Sequence, residues 1–347
     1  MNTTSPSRPT NLPRWRGFNL CEMFVTRDDP RWPEMTPSPR GRFVEDHFRW
    51  IADWGFDFVR LPLSYRWWSS PAAPMEIDEA AFAPIDEAVA WAQRHRLHLS
   101  INLHHAPGYC INEGLCDEFM EPEPFVLWRD PAALDCLIRH WTFIARRYRG
   151  VSREALSFDL INEPARCTRE EFGRVHRAVV KAVRAVNPDR LVIIDGFRWG
   201  SDPSPELVDL DVVQSCRGYQ PGELTHHLAW WAGNHTTPPA WPQTRDGRVL
   251  LDREGLARLY DPWVALQQRG VAVHCGECGC HSCTPHPVFL AWLDDLLGLL
   301  AERRIGWALW NFCGSFGVLD SGRADVAYED WRGHRLDRTL LRLLQRH

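Results

Sequence analysis

Short apolar segments alternate with longer amphipathic segments along most of the chain, and this alternation limits the folds that it can adopt. Brief runs rich in β-branched, leucine and aromatic residues are typical of buried strands. Strands that alternate with helices pair in parallel, so we expect an α/β fold. Eight strands are predicted, at residues 15–20, 56–61, 97–103, 155–161, 191–195, 212–215, 271–277 and 305–311.

Apolar residues at helical spacing predict helices between most of these strands. One helix is expected at residues 43–54, ending at Gly55, and another at 254–269, broken at Asp261-Pro262. The loops after the predicted strands are much longer than the loops after the helices. This asymmetry favours a single (β/α)8 TIM barrel. An open doubly wound sheet is the alternative, but the sequence has no glycine-rich first turn of the kind usual there.

The composition fits one globular domain. The chain has 347 residues, 44% of them hydrophobic, and we predict a barrel over residues 15–347 after a flexible segment at 1–14. The net charge of −5 gives no basic surface, so no nucleic-acid partner is expected. Because the first thirteen residues are polar and no apolar run is long enough for a bilayer, we expect a cytoplasmic protein with no membrane partner. A processed, exported form is the alternative. In the cytoplasm, the eleven cysteines would be mostly reduced.

Two of the predicted strands end in a glutamate. The run 155–161 stops at Asn162-Glu163-Pro164, where the proline cannot continue a ladder, and the run 271–277 ends at Glu277. In a parallel barrel both carboxylates lie at the carboxyl end of the strands. A retaining glycosidase needs such a pair, one acid to protonate the leaving oxygen and one carboxylate to attack the anomeric carbon. Taken alone, Glu163 is equally consistent with a helix-capping role.

A set of short motifs in a fixed order strengthens this interpretation. These motifs lie at residues 17–19, 58–62, 102–105, 162–164, 219–221, 276–277 and 307–310. Together they resemble glycoside hydrolase family 5, the cellulase-like retaining β-glycosidases built on a (β/α)8 barrel. The resemblance covers nearly the whole chain and implies a β-linked oligosaccharide or glycoside substrate, with no cofactor and no metal.

The same resemblance implies a role for each residue near the two glutamates. Glu163 would be the acid/base and Glu277 the nucleophile. Asn162 would donate to the sugar 2-hydroxyl, a contact that strengthens in the transition state. Arg60 would hold the nucleophile ionised, although an ordinary core ion pair is the alternative. The Tyr219 hydroxyl would lie near the nucleophile.

Further site residues are implied at the ends of the third, sixth and eighth strands. His104 matches the histidine of strand three, with His105 as a weaker candidate, and Trp310 would form the stacking floor for the cleaved sugar. Arg217 stands two residues before Tyr219, where the family usually has histidine. A permanent positive charge there argues against a plain cellulase specificity.

The long predicted loops carry aromatic and acidic residues. Those after strands three, six and eight are expected to wall off one side of the barrel mouth and to leave a pocket for a short oligosaccharide or a glycoconjugate end. Short β-glycosides would then be cleaved faster than polysaccharide, and an exo-acting β-glycosidase on glycoconjugates is the alternative to a cellulase-type endoglucanase. Their tryptophans are equally consistent with sugar stacking and with covering the core. The tryptophans in question are Trp67, Trp68, Trp230, Trp231 and Trp241.

A cysteine cluster offers a competing interpretation. Its members have spacing that could hold zinc, which would allow a zinc-dependent hydrolase. We favour small packing residues, because Cys275 lies within the same predicted strand as Glu277. A carbohydrate-binding barrel without turnover is the remaining alternative, and the two glutamates argue against it. The cluster consists of Cys275, Cys278, Cys280 and Cys283, with His281 among them.

Overall fold

A closed ring of parallel strands forms the centre of the molecule. The computed structural model describes residues 12–26, 39–112, 123–233 and 235–347, and within these residues eight parallel strands pair in sequence around the ring. The last of them pairs with the first and the second pairs with the third, so the sheet closes. The TIM barrel prediction is therefore confirmed and the open sheet is wrong. The barrel strands are β1 Arg16–Asn19, β2 Phe58–Ser64, β3 His98–Ala106, β5 Leu156–Asp159, β6 Leu191–Asp195, β7 Val213–Gly218, β10 Val273–Cys278 and β11 Gly306–Leu309.

Amphipathic helices surround this ring. The predicted break at Asp261-Pro262 is observed. One helix ends at Leu259 and a second begins at Asp261, with Pro262 in the first turn of the second helix, where proline is tolerated. Thr168 and Glu171 form a reciprocal capping box at the start of the helix Arg169–Val186. The helices are α1 Glu45–Asp53, α2 Ala83–Arg94, α3 Pro131–Arg147, α4 Arg169–Val186, α5 Arg253–Leu259, α6 Asp261–Gln268, α7 His286–Glu302 and α8 Arg338–Arg346, with 3₁₀ turns at Tyr65–Trp67, Glu79–Phe82 and Pro205–Leu210 and single turns at Phe197–Gly200 and Gly222–Thr225.

In the described parts of the chain, three small strand pairings lie outside the ring, and none of them was predicted. The strand β4 Tyr109–Cys110 folds back on the end of β3. Two hairpins lie in the long loops after β7 and β11, and their turns contain Asp246-Gly247 and Arg332-Gly333 with positive φ at both residues. Such turns match the twist of a hairpin. The hairpin strands are β8 Gln243–Arg245, β9 Arg248–Leu251, β12 Glu329–Trp331 and β13 His334–Leu336.

The interior of the barrel is apolar at one end and charged at the other. Trp15 closes the amino-terminal end, where its ring stacks on His98 with centroids 3.7 Å apart. A small apolar cluster that includes Phe58 and Ile193 fills this floor. At the carboxyl ends of the strands the inward side chains are instead charged, among them Arg60 and Glu277, and both are buried. The chemistry of the barrel is therefore confined to the carboxyl end.

The predicted flexible segment falls mostly on residues 1–11, which lie outside the described residues. In the described part of the chain, no helix is long and apolar enough to cross a membrane.

Candidate active site

The two predicted catalytic glutamates lie at the carboxyl ends of β5 and β10, which are separated in the barrel by β6 and β7. Glu277 is inside β10 with 4% of its side chain exposed, whereas Glu163 follows β5 and keeps 16% exposed. The backbone of Glu163 has φ +44°, which is uncommon for a residue other than glycine. Its N–H donates to Asp195 Oδ2 at 2.8 Å, and its carbonyl accepts from the Tyr109 hydroxyl at 2.7 Å. These contacts fix the backbone from which the carboxyl group projects.

Arg217 joins the two glutamates directly. Its Nε donates to Glu163 Oε1 at 2.9 Å, and its Nη2 donates to Glu277 Oε1 at 3.2 Å. Both carboxyl groups therefore border one guanidinium group. The other edge of the guanidinium is held by Asp195, which accepts from Nη1 at 2.9 Å and also from Nη2.

Arg60 forms a second charged centre beneath Glu277. The side chain is 1% exposed, and its Nη1 donates to Glu277 Oε1 at 2.7 Å. Its Nε donates to Asp159 Oδ2 at 2.7 Å and its Nη2 to Asn162 Oδ1 at 2.9 Å. Oε1 of Glu277 therefore accepts charge-assisted hydrogen bonds from two arginines.

Asn162 and Tyr219 complete the contacts around the glutamates. Asn162 Oδ1 accepts from Arg60 and Arg217, so its amide nitrogen is turned the other way, 3.2 Å from His104 Nε2. The Tyr219 hydroxyl donates to Glu277 Oε2 at 3.1 Å. The second oxygen of Glu277 thus also has a donor.

The two predicted histidines point to different places, because successive residues of a strand face opposite sides. His104 faces the cleft, and its ring centroid lies 5.4 Å from that of Trp310. His105 instead contacts Ser64 at 3.2 Å and Glu123 at 2.8 Å. Glu123 accepts from Arg66 as well, so the structure places His105 in a network that supports the loop after β3.

Two buried aspartates belong to the site although neither was predicted. Asp159 pairs with Arg60, and Asp195 pairs with Arg217. Both end short apolar strands, in Leu-Ser-Phe-Asp and Leu-Val-Ile-Ile-Asp. The sequence did contain a signal for them, namely an aspartate within an otherwise apolar strand. A buried carboxylate requires a positive or hydrogen-bonding partner, so such an aspartate indicates a polar site.

The carboxyl groups of the site differ in proton affinity. Burial, together with the negative charge of Glu277, raises the pKa of Glu163 to about 8, against the opposing effect of Arg217. Burial and the charge of Asp195 raise the pKa of Asp159 to about 7. Burial also favours neutral Asp195, but Arg217 and Arg60 outweigh it and hold its pKa below the usual value. Glu163 is therefore mainly protonated at neutral pH, as a general acid requires.

Comparison with known proteins agrees with this geometry. Residues 14–315 match the cellulase family, glycosyl hydrolase family 5. The chain belongs to glycosyl hydrolase family 5. A solved structure described as a glycoside hydrolase is 38% identical, with a TM-score of 0.86 over 96% of this chain and 99% of that one.

Among curated relatives of this family 5 chain, endoglucanase C of Acetivibrio thermocellus is 27% identical over 313 residues, covering 82% of this chain and 89% of that protein. Cellodextrinase A of Ruminococcus flavefaciens is 26% identical over 274 residues, covering 75% and 76%. The chain is therefore a β-glycoside hydrolase with the retaining mechanism general to family 5, and a barrel that only binds carbohydrate is not favoured.

A cavity of about 1680 Å³ opens above the charged groups of this family 5 enzyme. It is larger than the ~300–1,000 Å³ typical of sites for a single small ligand. Of the loop tryptophans, Trp230 and Trp231 line it, whereas Trp68 is buried elsewhere with its indole donating to His140. Trp310 also lines the cavity, beside both glutamates. The cavity therefore offers several aromatic faces to a sugar chain.

The cysteines near Glu277 are directed into the barrel wall. Cys275 Sγ donates to the Glu277 carbonyl and Cys278 Sγ to the Ala308 carbonyl, while Cys280 is buried and Cys283 is exposed. Among the described residues, the donor atoms of this cluster do not converge as zinc ligands do. The contacts match those of small packing residues.

Proposed function

We propose that this family 5 enzyme hydrolyses short β-linked gluco-oligosaccharides, with Glu277 as nucleophile and Glu163 as acid/base. The observation that carries the assignment is the contrast between the two carboxyl groups. Glu277 accepts from Arg60, Arg217 and Tyr219, whereas Glu163 is more exposed and has a raised pKa. Double displacement requires one carboxylate that attacks the anomeric carbon and one carboxylic acid that protonates the leaving oxygen.

In the first step, a Glu277 oxygen bonds to the anomeric carbon while the bond to the leaving oxygen breaks. The proton of Glu163 moves to that oxygen, and the sugar remains attached to Glu277 as an ester. In the second step, Glu163 takes a proton from water as the water oxygen attacks the anomeric carbon and releases Glu277. In this mechanism the amide nitrogen of Asn162 donates to the sugar 2-hydroxyl, and Trp310 stacks beneath the sugar ring.

The preference for short substrates rests on the loops around the cavity. Residues after β7, including His226, Trp230 and Trp231, line one side, and Phe316 from the loop after β11 lines the same space. Side chains from these two loops narrow the cavity above the glutamates, where a long polymer would have to lie. The relative named cellodextrinase A supports this preference.

A direct test of the nucleophile is chemical trapping. A 2-deoxy-2-fluoro glycoside with a good leaving group should form a slowly hydrolysed ester, which adds the mass of one sugar to the chain. Peptide mapping should place the sugar on Glu277, and Glu277→Ala should show no added mass. A sugar found on Glu163 would overturn the assignment.

The size preference needs a separate measurement. Release of reducing ends from a soluble β-glucan is compared with hydrolysis of matched oligomers of four to six sugars, at equal concentration of bonds. We expect faster cleavage of the oligomers. A rapid fall in the viscosity of the polymer solution would instead indicate an open groove.

The location is also part of the proposal. The ten cysteines in the described residues form no disulfide, which supports a reducing compartment such as the cytoplasm. Fractionation of cells with an activity assay would test this, and activity mainly in the medium would contradict it.

A further inference from the structure

Three side chains of the kinds that bind zinc converge outside the cleft, in the segment after β11. The donor atoms of Cys313, Asp320 and His334 all lie within 4.8 Å of one another. His334 Nδ1 is 2.6 Å from Asp320 Oδ2, and Cys313 Sγ is 3.4 Å from the same oxygen. Thiolate, imidazole and carboxylate are together a common donor set for Zn²⁺, whereas Ca²⁺ takes oxygen ligands.

Backbone hydrogen bonds hold the segments that carry these three residues together. Gly314 N–H donates to the Leu319 carbonyl at 2.9 Å, which closes the loop between Cys313 and Asp320. Asp320 N–H donates to the Arg335 carbonyl at 2.9 Å, which attaches the loop to the hairpin that carries His334. Little conformational entropy is therefore lost when the three donors take up one ion.

Neighbouring groups orient the donors. The Arg335 N–H donates to Asp320 Oδ1 at 2.8 Å, so that Oδ2 faces the other two side chains. The Trp50 ring packs edge-on against the imidazole of His334, with centroids 5.5 Å apart. Hydrogen bonds to a ligating carboxylate, such as that from Arg335, orient the ligands of known metal sites.

The cluster is also accessible. Cys313 is nearly buried, but Asp320 and His334 keep 24% and 26% of their side chains exposed. An ion can therefore enter from solvent, and a water molecule can occupy the fourth position of a tetrahedron.

We propose that Cys313, Asp320 and His334 bind one divalent ion of the zinc type, with water as the fourth ligand. On binding, the thiol proton of Cys313 passes to solvent, and His334 binds through Nδ1 with its proton on Nε2. The ion stabilises the loop between Cys313 and Asp320. Because Phe316 of that loop lines the substrate cavity, the ion also secures one wall of the cleft.

The test uses the full chain, treated with a chelator under a non-metal reductant and then titrated with zinc chloride alone. We expect one zinc per chain by mass spectrometry of the dialysed protein. At zinc concentrations about a hundredfold above Kd, the melting temperature should rise by about 3–4 °C.

Cys313→Ser keeps a hydroxyl that can donate to Asp320 but removes the soft ligand. It should weaken zinc binding at least about a hundredfold, as loss of a direct ligand does. Cys283→Ser is the matched control, because Cys283 is exposed and belongs to the cluster near Glu277; it should bind zinc as the unmodified chain does. His334→Gln provides a second variant should Cys313→Ser not fold.

The proposal is overturned if the unmodified chain takes up no zinc at micromolar concentration. It is also overturned if both ligand variants bind zinc as tightly as the unmodified chain, or if Cys283→Ser alone loses it.

Discussion

Asp195→Asn tests how the charged groups of the barrel set the pKa of Glu163. The asparagine oxygen can still accept from the backbone N–H of Glu163, so the local geometry is preserved. The substitution removes a negative charge that raises the pKa of Glu163. It also frees Arg217 to interact more strongly with the ionised form of Glu163. Both effects lower the pKa of Glu163.

The size of the effect follows from the shared guanidinium group. Carboxylates on opposite edges of one guanidinium lie about 6 Å apart, and with an effective dielectric constant of about 20 their interaction is about 2.8 kcal/mol, or roughly two pH units. Structural relaxation reduces this, so we expect a downward shift of about one unit from the value of about 8 in the unmodified enzyme. Because the role proposed for Glu163 is that of an acid, we expect activity to be retained below its pKa and lost as the pH rises through it.

The assay is the pH dependence of kcat/KM on a substrate with a poor leaving group. Asp195→Asn should leave kcat/KM nearly unchanged between pH 5 and 6 and lower it about tenfold above pH 9. Asp159→Asn is the matched control, since it removes a buried carboxylate that pairs with Arg60. The apparent pKa of the alkaline limb of its kcat/KM profile should stay within about half a pH unit of that of the unmodified enzyme. An alkaline limb that moves upward in Asp195→Asn, or does not move, would refute this account of Glu163.

Four further outcomes are expected. Glu277→Ala should lower kcat at least about a thousandfold with an unchanged circular dichroism spectrum, since no other group can form the ester. Glu163→Ala should be severely impaired on unactivated glycosides but much less on aryl glycosides with good leaving groups, and equal losses in a side-by-side assay would argue against its role as the acid. Tyr219→Phe should lower kcat about tenfold to a hundredfold, because it removes a donor to a charged oxygen 3.1 Å away, and steady-state kinetics would reveal it. Leu293→Ala, at a fully buried position of α7, should lower the free energy of unfolding by about 2–5 kcal/mol in urea titration; a smaller loss would show that the core closes around the gap.

Local patterns in the sequence were enough to predict the barrel. The strand at Leu191–Asp195 was predicted with its observed bounds, and the helix break at Asp261-Pro262 follows from the geometry of proline alone. The hairpins were missed because their strands are only three or four residues long and largely exposed. The Asp246-Gly247 pair was the one strong local signal for a hairpin, and it lay in a loop rich in tryptophan and proline.

The site was less accessible from sequence because its contacts join distant strands. Asp159 and Arg60 are separated by 99 residues, so neither segment reveals its partner. His104 and His105 look equivalent in the sequence. Successive side chains of β3 face opposite sides, which places His104 in the cleft and His105 beside Glu123. Cys313, Asp320 and His334 form no recognisable spacing motif. Only the folded loop brings them together.

The two-sided attachment of the Glu163 backbone, to Asp195 and to Tyr109, has a consequence for selectivity. A main chain held at both its N–H and its carbonyl does not follow the substrate, so the carboxyl group moves only by rotation of its own side chain. The glycosidic oxygen therefore has to arrive where the proton already is. In 1,3- and 1,4-linked disaccharides that oxygen is bonded to the anomeric carbon in the same way, and what differs is the orientation of the departing sugar. A proton donor on a fixed backbone therefore selects the orientations of the departing sugar that leave its approach to the oxygen open.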